Sequence, residues 1–122
     1  MTSHEEFYLD ELPQSSKEIL SVSDLNQLAK ILLEENFSKV VVEGEISNIA
    51  VPNSGHWYLT LKDKKSQIRC AMFTNRNRFV RFEPKNGNFI TAKGKLSIYG
   101  SRGDYQLIIE HLEVYFVLWI VG

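Results

Sequence analysis

From Val40 onward the chain alternates apolar and polar residues with period two, in blocks separated by turns that carry glycine, proline, aspartate or asparagine. Alternation of this kind belongs to strands that bury one face, so the chain is expected to be mainly β. On the first strand Val40, Val42, Gly44 and Ile46 face inward, and Val41, Glu43, Glu45 and Ser47 outward. An inward glycine within a strand marks a sharp bend, as where a sheet curls into a small barrel. Pro52-Asn53-Ser54-Gly55 ends that strand in a loop. The second strand, His56 to Lys62, turns Trp57, Leu59 and Leu61 inward and Tyr58, Thr60 and Lys62 outward. After the hairpin turn Asp63-Lys64-Lys65-Ser66, the third strand, Gln67 to Phe73, has Ile68, Cys70 and Met72 inside and Arg69, Ala71 and Phe73 outside. Over Thr74 to Phe82 the alternation lapses, and a short helix or irregular stretch is expected there. If it is helical, Phe79 and Phe82 pack down and Arg76, Arg78 and Arg81 stay in solvent. A turn at Pro84-Lys85-Asn86-Gly87 precedes the fourth strand, Asn88 to Tyr99. It buries Ile90, Ala92, Gly94, Leu96 and Ile98 and exposes Lys93 and Lys95. Gly100-Ser101-Arg102-Gly103 then leads to the fifth strand, Asp104 to about Val114.

One helix is expected ahead of the strands. Ser21 or Ser23 can cap it, with Asp24 completing a capping-box-like pair beside Ser21, and it should finish near Asn36. Val22, Leu25, Leu28, Ala29 and Leu32 form its apolar stripe, which reads as a lid on a core. Helix, three strands, an interruption and two strands fit the five-stranded Greek-key barrel known as the OB-fold. Cold-shock and SH3-like barrels compete, but the long third-to-fourth connection argues against both. In the OB-fold, oligonucleotides lie across strands two and three, between the first-to-second and fourth-to-fifth loops.

A length of 122 residues suits one domain, and 43% apolar with 24% charged residues is ordinary globular usage. The domain is expected over residues 18–113. Residues 1–17 read as a flexible acidic lead-in in which only Phe7, Tyr8 and Leu9 could dock, and 114–122 as an apolar tail. Five acids and one lysine in the first twenty residues do not make a secretory signal. The longest apolar run, Val114 to Val121, is eight residues, against the roughly 20 needed to span a bilayer. A soluble, cytoplasmic protein is the expectation. A lone cysteine, Cys70, excludes an intrachain disulfide and any multi-cysteine zinc site; alternation turns it inward, as a structural residue.

The net charge of −1 conceals a strong segregation. Between His56 and Tyr105 eleven bases face three acids, while the rest of the chain has three bases and twelve acids. Eight of the fourteen aromatics fall in the same basic stretch. Cations neutralise phosphates and flat rings accept base faces, so this interleaving suits a single-stranded polynucleotide. The candidate binding residues are Tyr58, Lys62, Arg69, Phe73 and Arg102 on the ligand-binding elements, and Arg76, Arg78 and Arg81 in the interruption. Lys93 and Lys95 on the fourth strand and His56 at the mouth of the first loop complete the set. Glu43 and Glu45 read as solvated carboxylates. His4, His56 and His111 are too scattered for a metal site, and no nucleotide fingerprint is present. No cofactor is expected in this chain.

Five segments carry a resemblance: L-S-V-S-D-L-N at Leu20–Asn26, V-E-G-E-I-S-N at Val42–Asn48, S-G-H-W-Y-L-T-L-K-D at Ser54–Asp63, R-C-A-M-F at Arg69–Phe73 and Y-G-S-R-G-D-Y-Q-L at Tyr99–Leu107. In this order and spacing they resemble the N-terminal domain of the large subunit of bacterial exodeoxyribonuclease VII, over roughly Glu18 to Glu113. The resemblance implies an OB-fold that grips single-stranded DNA for exonucleolytic hydrolysis to oligonucleotides. It also implies an assembly of one large and several small subunits, and a longer catalytic region following this domain. After Glu113 the chain departs from that pattern, running Val114-Tyr115-Phe116-Val117-Leu118-Trp119-Ile120-Val121-Gly122 where the family continues through a polar link. A premature or shifted reading frame, or an appended tail, accounts for it. The catalytic region is therefore expected to be missing, and the chain alone inactive. The rival readings are an RNA-binding OB domain of the anticodon-reading kind, a barrel nuclease in its own right and a protein-docking module.

Overall fold

The computed structural model of the chain describes residues 19–114. The segment 1–17 with Phe7, Tyr8 and Leu9, and the tail beyond Val114, lie outside the described residues. Helix α1, Val22–Asn36, begins where Ser21 accepts a hydrogen bond from the Asp24 backbone N–H at 3.0 Å. It stops at Phe37, whose N–H still reaches the Leu33 carbonyl at 2.8 Å. Five strands follow: β1 Val40–Ala50, β2 Trp57–Lys62, β3 Gln67–Met72, β4 Phe89–Tyr99 and β5 Asp104–Val114, with a one-turn helix α2, Thr74–Asn77, between β3 and β4.

The strands close into a barrel in the order β1-β2-β3-β5-β4, with β4 returning to β1. All pairs are antiparallel except β3 with β5. Glu45 is the corner: it pairs with Phe89 on β4 and with Lys62 on β2, so β1 serves two neighbours in succession. Gly44, one residue earlier, is buried and allows that bend, because a Cβ there would already press on the Lys62 carbonyl at 3.1 Å. Inward positions on β1 to β4 build the core as the alternation predicts, with Ile46, Leu59, Leu61, Cys70, Met72, Ile90, Ala92 and Leu96 all buried, and β5 adds Leu107, Ile109 and Leu112. Each large aliphatic side chain among them contributes about 1.5–3 kcal/mol of burial. Trp57, Val80 and Phe82 pack on this cluster from the loop side.

Four local expectations need correction. The α1 stripe is only half a lid: Val22 and Leu25 remain 77% and 54% exposed, whereas Leu33 packs on the core. The C-terminal half of the helix lies over β4, where Glu34 Oε2 accepts from the fully buried Ser97 hydroxyl at 2.5 Å. Ala71 points outward yet is 1% exposed, because it lies between the larger Tyr58 and Ile108 in the sheet register. β3 ends at Met72, so Phe73 caps α2 instead of extending the strand. Because α2 is a single turn, Phe79 does not pack down with Phe82 and stands 68% exposed.

Candidate nucleic-acid interface

The outer face of β2 and β3 presents aligned cross-strand rows. Thr60 pairs with Arg69, and Arg69 with Gln106 of β5; Tyr58 pairs with Ala71, and Ala71 with Ile108. Asn48 and Ala50 of β1 border these rows. With Tyr58, Thr60, Arg69 and Gln106 they line a concavity of about 210 Å³. Asn48 takes a left-handed φ of 51° at the irregularity between Ser47 and Ala50, so β1 bends at the border of the concavity. Asparagine is among the side chains that tolerate this conformation.

Three rings gather at one end of the face. His56 stands edge-on to Phe73 with centroids 5.1 Å apart and edge-on to Tyr58 at 6.5 Å. The Thr74 backbone N–H donates to His56 Nδ1 at 3.1 Å. That bond occupies Nδ1 as an acceptor and leaves Nε2 to carry the ring proton. The loop before His56 is tied to α2 by Asn77, which is buried and donates from Nδ2 to the carbonyls of Gly55 at 2.9 Å and Met72 at 3.0 Å. Neither Asn77 nor Thr74 stood out in the sequence, since nothing in composition or spacing marks a long-range amide latch. Asn48, Thr60 and Gln106 were missed as liners; only the outward register of Thr60 hinted at its place.

The remaining candidates are dispersed. Arg76, Arg81 and Lys93 line a second, larger cleft beside α2, β4 and β5. The Arg78 guanidinium lies 4.8 Å from the Phe79 ring centroid. Lys95 stands opposite Ile108 on β4, and Lys62 pairs with Glu45 at 3.7 Å. Arg102 sits in the β4–β5 turn, beyond the Arg69–Gln106 pair and at the strand end opposite His56. Among the described residues, Arg69, Arg81, Lys93, Lys95 and Arg102 have no carboxylate within ion-pair distance. Cys70 lies beneath the face with its thiol pushed up to about 12 by burial, which suits packing and not nucleophilic chemistry. No group of three His, Cys, Asp or Glu among the described residues is placed to hold a metal ion.

Residues 20–113 match the family of the OB-fold nucleic acid binding domain. The chain belongs to this family. Among its relatives, the exodeoxyribonuclease 7 large subunit of Vibrio campbellii is 52% identical over 102 residues, covering 84% of this chain and 23% of the relative. That of Geotalea uraniireducens is 52% identical over 99 residues, covering 81% and 22%. This OB-fold nucleic acid binding domain thus spans less than a quarter of the length of those relatives. Its barrel is similar to one in a replication protein A heterotrimer bound to ssDNA, with a TM-score of 0.53, 13% identity, and coverage of 65% of this chain and 58% of that one. It is also similar to part of asparaginyl-tRNA synthetase from Pyrococcus horikoshii, with a TM-score of 0.51, 15% identity, and coverage of 72% and 21%. At such identities the two structures establish the fold alone. No helix among the described residues is long and apolar enough to cross a membrane.

Proposed function

We propose that this domain grips single-stranded DNA and presents it to the catalytic region of an exodeoxyribonuclease VII large subunit, which hydrolyses it to oligonucleotides. The observation that carries the reading is the grouping of Tyr58, His56 and Phe73 with Arg69 on the β2–β3 face. Bases stack on Tyr58 and Phe73, and Arg69 neutralises the phosphate between them. His56 Nε2–H is free to donate to a base edge or a phosphate oxygen. Lys95 and Arg102 extend the cationic track, and Lys62 joins it if Glu45 releases it. Stacking and phosphate contacts tolerate any base, so the grip is independent of sequence. The shared identity with exodeoxyribonuclease 7 large subunits supports a nuclease context. Small subunits are engaged by the remainder of the large subunit, outside this chain. A cytoplasmic location belongs to the same proposal.

The test is fluorescence anisotropy of a labelled oligothymidylate titrated with the domain at several salt concentrations, with duplex DNA and RNA as competitors. The expected result is preference for single-stranded DNA and a log–log salt slope of about −2 to −4, at ~0.7 per phosphate contact. Equal competition by RNA of the same sequence would move the reading to an RNA binder, since the 2′-OH is the discriminating group. Absence of binding at low salt would overturn it.

A further inference from the structure

The larger cleft is separate from the stacking face, and its chemistry is complete enough to hold a ligand. It has a volume of about 440 Å³, within the roughly 300–1,000 Å³ of small-ligand sites. Arg76, Arg81, Lys93 and His111 line it with Phe79, against a single acid, Glu110. Arg76 is partly engaged by Glu110 at 3.7 Å, and His111 faces Glu113 at 3.1 Å, but among the described residues no carboxylate lies within ion-pair distance of Arg81 or Lys93. Phe79 is held out at 68% exposure with the Arg78 guanidinium against its ring. An exposed ring beside two cations that have no ion-pair partner among the described residues presents a base face and a phosphate site side by side. The cleft also adjoins the stacking face. Phe73 ends the face and caps α2, and the Arg76 N–H bonds back to the Phe73 carbonyl at 2.9 Å.

We propose that this cleft is a second subsite for the same single strand. A nucleotide leaving the Tyr58–Phe73 face passes over α2 and sets its phosphate between Arg81 and Lys93 and its base against Phe79. This rests on the reading of the β2–β3 face as a single-strand site. It gives that site a length: short strands use the face alone, and long strands use both.

The test compares oligothymidylates of about 4 and about 15 nucleotides, the lower and upper reaches of an OB-fold site, by fluorescence anisotropy. The double variant Arg81→Glu/Lys93→Glu should leave the short oligomer within about twofold and weaken the long one about tenfold. Its salt slope for the long oligomer should fall by about 0.7, the value for one phosphate contact on a single strand. Phe79→Ala, at an exposed position that folding does not need, should weaken only the long oligomer, by about fivefold or more. Unchanged affinity for the long oligomer, or equal losses for both lengths, would overturn the second subsite. If Tyr58→Ala leaves both oligomers bound while the cleft variants lose them, the β2–β3 reading fails and the cleft stands as a site by itself. Binding of neither oligomer by the unaltered domain overturns both.

Discussion

Tyr58 sits at the ring-bearing end of the candidate face, 38% exposed and with its ring edge-on to His56. If it carries a base, Tyr58→Ala should weaken single-strand binding about tenfold, since stacking contributes about 1–3 kcal/mol per base. The domain's unfolding midpoint should hardly move, because the phenol is not part of the core; titration and denaturation run on the same sample check both. Cys70 is the contrasting residue. Burial pushes its thiol from 9.0 to about 12, so the fold favours the neutral form. Its contribution to stability is complete below pH 9 and drains away as pH rises through about 12. Urea midpoints should therefore fall above pH 9, and fall less steeply in Cys70→Ala; thiol reagents should label the native protein only slowly. Inward Cys70 and outward Tyr58 were both legible from alternation alone. Ala71 was not, because period two tells which way a side chain points and says nothing of the height of its neighbours.

At the scale of elements, register made the strands legible and long-range polar contacts remained hidden. All five strands appear where alternation puts them, ending within a residue or two of their expected bounds. β1 runs to Ala50, just ahead of the Pro52 loop, with Asn48 absorbing its irregularity. The interruption was the least legible part, since α2 owes its place to Asn77 holding two carbonyls from two different segments. Asn77→Ala leaves both without that donor and should cost about 1–3 kcal/mol. It should also loosen the loop that holds His56, so binding should weaken although Asn77 lies outside the face; Asn77→Asp, without the donor amide, should behave alike. Gly94 tests the barrel wall itself. A Cβ there would collide with the Ile108 backbone carbonyl, next to the register shift between Lys93 and Gly94. Gly94→Ala should cost about 1–3 kcal/mol through forced backbone movement, read as a lower denaturation midpoint with an unchanged m-value.

For the molecule as a whole, segregated charge was the strongest functional signal, and the fold resolves it into two places. Sequence order set Arg69 on a strand and Arg76 and Arg81 in the interruption but did not assign them to separate clefts, because that division arises from the chain's turn at Phe73 and from the β3–β5 pairing. That pairing is also the shortest in the barrel: three residues of β3, Arg69 to Ala71, meet Gln106 to Ile108, while β4 and β5 match along ten positions. It joins strands far apart in sequence, so it is the seam expected to open first in local fluctuations. Amide exchange at Arg69–Ala71 and Gln106–Ile108 should be the fastest among the paired strand centres, and should slow when single-stranded DNA is added. Arg69 and its partner Gln106 stand on both sides of that seam and line the same concavity. A strand laid across the face works like a clasp drawn over the gap in a bracelet. The ring's loosest joint is then the one its cargo fastens, and a filled domain should melt later than an empty one in proportion to how firmly the cargo is held.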